Sequence, residues 1–140
     1  MICGYPEYDE SVPKARLNGR KIANAWIHIV TVSNEIRDAL IGFRIYPVEP
    51  YYNLLKHHAV IDSHMGYDTD ILVHLSWKNI PIISHPVKIS YPKDGVSNFR
   101  MVRDNIHISL TFTRLFVGMI FKFPVLFFRM IRRNFSGASR

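Results

Sequence analysis

The chain has 140 residues, the size of one ordinary domain, and 48% of them are hydrophobic, which supports a packed core and excludes a disordered chain. A single cysteine, Cys3, excludes an internal disulfide framework and a cysteine-rich metal site, and fits a reduced, cytosolic setting. The formal net charge of +7 is concentrated at one end: Arg114, Lys122, Arg129, Arg132, Arg133 and Arg140 follow one another with no acidic residue, which points to an anionic membrane surface and not to nucleic acid.

The opening "MICGYPEYDE" has neither the basic nor the apolar region of a signal peptide. Gly4, Pro6 and Pro13 predict irregular structure over residues 1–13. From Lys14, the residues Ile22, Trp26, Ile29 and Val30 recur at helical spacing and predict a helix that fades between Ser33 and Asp38. "ALIGFRIYP" reads as a strand, with Gly42 marking a bulge or a close approach by another group. "VEPYYNLLKHH" predicts a short helix starting after Pro50. "YDTDILVHLSWKN" predicts an amphipathic helix whose apolar side carries Ile71, Leu72 and Leu75, with Trp77 at its margin.

"IPIISHPVKISY" is rich in β-branched residues and predicts a strand, and "PKDG" a turn. A last helix is expected from about Met101 to Phe121, with Pro124 kinking or ending it. "VLFFRMIRR" resumes the apolar-basic pattern and "NFSGASR" frays. The pattern is that of an α/β layer fold. Only two stretches read as strands, too few for a stable sheet, so the sheet is expected to be incomplete. The expected divisions are a folded part at 1–114, an apolar-basic helix at 115–133 and a disordered tail at 134–140.

Three stretches carry residues suited to chemistry. In "RDALIGFRIYP", Arg44 offers five donors in a fixed fork that matches a phosphate, Gly42 would leave room for a ligand, and Asp38 would orient the arginine or take a proton. The alternative there is a salt bridge beside a bulged strand. In "GYDTDILVH", Asp68 and Asp70 sit at a helix start, where acids favour the helix dipole; one of them in a cleft would also serve as a general base. In "YPKDGVSNFRMVRDN", Lys93, Arg100 and Arg103 surround a helix N-terminus suited to an anion, or form a solvated loop. The histidines make no metal motif, since His57 and His58 are adjacent and point apart on a helix, and no phosphate-binding glycine loop is present.

In order along the chain, "GYPEYDESVPKARLNGRKIAN", "IRDALIGFRIYPV" and "MGYDTDILVHLSWKNIPIISHPVKISYPKDGVSNFRMVRDNIHISLTFTRLFVGM" resemble the C-terminal part of a bacterial family 2 glycosyltransferase, of the branch similar to dolichyl-phosphate mannosyltransferases. The likeness runs from Gly4 to Met119. It implies part of a GT-A fold, an α/β domain that transfers a sugar from a nucleotide-sugar donor to a lipid-linked or glycan acceptor in the cell envelope.

By this resemblance Asp38, Asp68 and Asp70 are catalytic candidates, with Asp70 the base and Asp68 its neighbour. Arg44, Gly42, Lys21, Asn24, Arg100 and Arg103 are substrate- or phosphate-binding candidates. A divalent metal, Mg or Mn, is implied for the intact enzyme. No residue here is expected to bind it, because the family's nucleotide-binding strands and their Asp-x-Asp motif have no counterpart in this sequence. The chain is therefore expected to be a piece of the enzyme, inactive alone, and peripheral to the cytoplasmic face of the cell membrane.

The sequence departs from the family at Ile41, Gly66 and Asp70, where cysteine or serine, an acid and glutamate are common, and in "NFR" where "HFR" is common. Asp70 is one methylene shorter than glutamate. Two other functions remain open on the sequence alone, a non-catalytic membrane- or lipid-binding module and a remnant without function. Within "LFVGMIFKFPVLFFRMIRR", Lys122 and Pro124 break a clean membrane span, so an interfacial helix with its cations at the headgroups is expected.

Overall fold

The computed structural model describes residues 1–8, 12, 14–57, 61–90 and 100–137. Its elements are β1 (Ile2–Tyr8), α1 (Lys14–Thr31), β2 (Arg44–Ile45), α2 (Val48–His57), α3 (Tyr67–Trp77), β3 (Ile83–Ile89) and α4 (Met101–Gly137). This is a mixed α/β arrangement with a small three-stranded sheet in the order β2-β1-β3. β1 runs antiparallel to β2 and parallel to β3, with Ile2 opposite Ile83 and Tyr8 opposite Ile89.

The sheet corrects two expectations. Residues 2–8 form its central strand in spite of Gly4 and Pro6. Gly4 donates its N–H to the Phe43 carbonyl (2.9 Å), toward β2. Backbone direction alternates along a strand, so Pro6 turns its nitrogen the same way, past the end of the short β2, and no ladder bond is lost. The glycine that makes room is Gly4: a Cβ there would lie 3.1 Å from Val87 and 3.2 Å from the Phe43 carbonyl. At Gly42 a Cβ would meet nothing and φ is not positive, so the expected bulge or close approach is absent at that residue.

The second correction concerns "ALIGFRIYP", of which only Arg44 and Ile45 are strand. The N–H groups of Ala39, Leu40 and Ile41 bond to the side chains of Asn24 and Asp38, and a backbone satisfied in that way does not enter a ladder.

α3 is buried on every side from Thr69 to Trp77, not on one face. Leu72, Val73 and Trp77 join the main core with Ala23, Ile27 and Val30 of α1 and Phe112, Leu115, Met119 and Leu126 of α4. Ile71 and Leu75 point the other way, into a second cluster with Leu54 of α2. A helix flanked on both sides has no solvent face to keep polar.

α1 has the helical spacing read from the sequence, but it is rotated about its axis. Ala23, Ile27 and Val30 are buried, whereas Ile22, Trp26 and Ile29 are 63%, 40% and 47% exposed. α2 begins at Val48, two residues before Pro50, which therefore falls in the first turn. α4 runs 37 residues, about 55 Å at the usual rise, without ending at Pro124. Buried Met119 and Leu126 hold it on both sides of the proline, and Arg129 donates to the Trp77 carbonyl (2.7 Å) beyond it. Helix also covers Asn134 to Gly137 of the expected frayed tail; residues 138–140, like Lys93 and the "PKDG" turn, lie outside the described residues.

Candidate functional site

The segment 36–46 folds around Asp38, which is 2% exposed. Its Oδ1 receives Arg20 (2.6 Å) and the N–H groups of Leu40 (2.9 Å) and Ile41 (2.8 Å), and its Oδ2 receives Asn24 Nδ2 (3.3 Å). Asn24 completes the clamp by accepting the Ala39 N–H (2.9 Å). A carboxylate bonding N–H groups two and three residues ahead is a local turn, and that signal is visible in sequence as an Asp placed before the chain bends. Arg20 carries no such signal and was missed.

Arg44 crosses from this segment to the first turn of α3. Its guanidinium donates to the carbonyls of Ala39 and Asp68, and it approaches the Tyr46 hydroxyl (3.4 Å). Thr69 adds a bond from its hydroxyl to the same Ala39 carbonyl (3.3 Å). The arginine thus braces two pieces of backbone. Three tyrosines close this side: Tyr46 stacks on Tyr51 with centroids 5.4 Å apart, and the hydroxyls of Tyr51 and Tyr67 lie 2.5 Å apart. That hydrogen bond, with burial and the charges nearby, pushes the Tyr67 phenol up to about 12, and burial raises that of Tyr46.

The acidic pair divides. Asp68 is exposed in the first turn of α3, where its charge favours the helix dipole. Asp70 has no exposure. Its Oδ2 pairs with Arg114 of α4 and receives the Asp62 N–H (2.7 Å), and His74 Nδ1 lies 3.1 Å from Oδ1. Asp62 extends this network by accepting from the Thr111 hydroxyl and the His64 N–H (2.7 Å). Its carboxylate also fills the space next to Gly66: a Cβ on Gly66 would lie 2.2 Å from Asp62 Oδ2. Arg114 and Asp62 were missed in the sequence because Asp70 and Thr111 lie 44 and 49 residues away from them along the chain; His74 stands four residues after Asp70 on the same helix, a spacing that could have signalled the pair.

Of the expected site residues, Asp38, Asn24, Arg44, Asp68 and Asp70 therefore converge on the segment 36–46 and the start of α3. Gly42 belongs to the same segment and is exposed. Lys21 is exposed on α1. Arg100 and Arg103 are exposed at the start of α4, where the Arg100 N–H bonds Asp104 (2.7 Å); no described bond ties them to the cluster.

Comparison of the chain with protein-family models, curated proteins and solved structures returns no match.

The resemblance implies a divalent metal in the intact enzyme. Asp68 and Asp70 have the Asp-x-Asp spacing, but one carboxylate is exposed while the other is buried and committed to Arg114 and the Asp62 N–H. Among the described residues, no three His, Cys, Asp or Glu side chains converge.

The outer side of α4 is a second surface of note. Ile106, Leu110, Val117, Phe121 and Phe128 follow one another at helical spacing and are 47–82% exposed. Within Val102–Arg133 an 18-residue stretch is long and apolar enough to cross a membrane, with a mean hydropathy of 1.6 and 28% of it buried. Not all of its cations face outward as expected. Arg129 bonds the Trp77 carbonyl and Arg133 pairs with Glu35 (2.8 Å), both on the protein side. The outer stripe is therefore apolar over most of its length, with exposed Arg103 and Arg132 at its two ends.

Proposed function

We propose that the chain is the acceptor-side, membrane-facing part of a family 2 glycosyltransferase of GT-A type, with nucleotide-sugar and metal binding assigned to a part that has no counterpart in this sequence. The observation that carries this reading is the convergence of two stretches that look like the family, "IRDALIGFR" and "GYDTD", through the bonds from Arg44 to the Ala39 and Asp68 carbonyls. In it, Asp68 is the carboxylate open to an acceptor, and a carboxylate within reach of a hydroxyl or phosphate acts as general base. Arg44, Asp38 and Asn24 are positioning residues that hold the backbone on which Asp68 stands. Asp70 fastens α3 to α4 through Arg114. The apolar side of α4 sets the cluster at the cytoplasmic membrane surface, where a lipid-linked acceptor resides.

A second reading, a lipid-binding module without catalysis, is favoured by one specific observation: Asp38 and Asp70 are both closed off and ion-paired. One pair of measurements bears on both. Flotation with vesicles containing or lacking polyprenyl phosphate is run beside calorimetry with UDP- and GDP-linked sugars. The leading reading expects co-flotation enhanced by polyprenyl phosphate, changed in Asp68→Asn, and no micromolar affinity for either nucleotide sugar. Tight nucleotide-sugar binding would contradict the division of roles. Co-flotation indifferent to polyprenyl phosphate and to Asp68→Asn would favour the non-catalytic module, and no co-flotation at low salt would remove both.

A further inference from the structure

A groove of about 600 Å³ runs between the C-terminal end of α1 and α4, its His28 one helical turn beyond Asn24 of the Asp38 clamp. Its floor is apolar: Ile29 and Val32 from α1 and the residue after it, and Met119, Phe123 and Met130 from α4. Its volume is that of an ordinary small-molecule site. Between Met119 and Met130 the helix rises about 16 Å, so the floor is long. Methionines adapt their shape to an irregular apolar occupant. The floor continues outward to Phe123, Ile29 and Trp26, which are 45%, 47% and 40% exposed.

One end of the groove is polar. Arg133 there holds Glu35 at 2.8 Å and Asn79 Oδ1 at 3.0 Å, and His28 donates Nε2–H to the Ile36 carbonyl (2.9 Å). The Arg133–Glu35 pair is half-exposed on both sides, so an incoming anion can take the place of Glu35 on the guanidinium. A second observation points to the same place. Val32 has φ of 50°, a left-handed conformation that a β-branched residue rarely adopts. Glycine or asparagine would relieve that strain at a helix C-terminus; the valine side chain instead packs against the main core and lines the groove floor.

We propose that this groove binds one hydrocarbon chain bearing an anionic head, with the chain along Val32, Met119, Phe123 and Met130 and the head on Arg133. The shape matches a single chain and the cation at one end matches a carboxylate. The site is separate from the Asp68 cluster and does not rest on sugar transfer. It is also separate from the outer stripe of α4 that faces a bilayer.

Calorimetric titration of the full chain with decanoate, below its micelle concentration and without vesicles, tests it. One saturable site per chain is expected. Val32→Gly removes floor and core contact while relieving backbone strain, so it should weaken decanoate about fivefold, with relieved strain offsetting part of the lost core packing in thermal stability. Glu35→Gln frees Arg133 and should tighten decanoate about two- to fivefold while leaving 1-decanol unchanged. Non-saturable uptake, or saturable binding indifferent to both variants, would overturn the site. Equal response of decanoate and 1-decanol to Glu35→Gln would overturn the assignment of the head.

Discussion

Trp77 packs directly on Gly118: the point that a Cβ on residue 118 would occupy lies 2.9 Å from Cη2 of the indole ring. The ring has no freedom to withdraw. Its Nε1–H donates to the Val30 carbonyl (2.8 Å), His74 meets it edge-on at 4.9 Å, and the Lys122 ammonium sits 5.7 Å above it. One residue thereby ties α1, α3 and α4 together. Gly118→Ala is expected to destabilise the fold by about 1–3 kcal/mol through overpacking. Alanine is the better helix former by about 1 kcal/mol, so a stabilised variant in urea unfolding would show that the contact is loose.

The Asp38 clamp should be a stability element whatever the chain's activity. Asp38→Ala leaves Arg20 beside an apolar gap and releases the N–H groups of Leu40 and Ile41. The expected loss is about 3–5 kcal/mol, the range for breaking a buried pair from one side. Asp38→Asn keeps part of the bonding and should cost less. Urea midpoints that are unchanged in both variants would mean that the segment 36–46 is held by something else.

Asp62 makes stability depend on acid pH. Burial alone would raise its carboxyl, but the Thr111 hydroxyl, the His64 N–H and the charges of Arg114 and His64 outweigh burial and hold it below the usual carboxylate range. A group with a depressed folded value contributes stability that is present above its unfolded value of about 4 and is lost as pH falls through the folded one. Thr111→Val removes one of the bonds that depress it. The acid-unfolding transition of the variant should begin at higher pH than that of the wild type, and coincident transitions would refute the role given to Thr111.

The outer stripe of α4 should govern membrane association without supporting the core. Phe121 is 82% exposed, so Phe121→Asp should change stability by no more than about 0.5 kcal/mol. Co-flotation with anionic vesicles should fall sharply. If flotation is unchanged while a neutral substitution at the exposed Arg132 abolishes it, charge and not apolar insertion drives the association.

Local sequence was enough to locate α1, α2, α3, β3 and most of α4, because helical spacing and runs of β-branched residues are properties of neighbouring residues. It was also enough to bring Asp38, Arg44 and the Asp68–Asp70 pair forward as unusual. It misled at Gly4 and Pro6, where breaker residues sit in the central strand, and at "ALIGFR", where side-chain bonds displace a ladder.

Which face of a helix is buried, and which acid of a pair is closed off, depends on partners far along the chain. Ile22, Trp26, Ile29 and Val30 read as an apolar face, but α3 and α4 take Val30 together with Ala23 and Ile27, and the other three are left outside. Asp68 and Asp70 are alike in sequence, and only the arrival of Arg114 from α4 makes one a buried anchor and leaves the other open. Pro124 weakens a helix locally, yet packing at Met119 and Leu126 on either side carries α4 through it. Local propensity costs or contributes about a kcal/mol at each residue, and burial against distant elements contributes several, so the tertiary contacts decide wherever the two disagree.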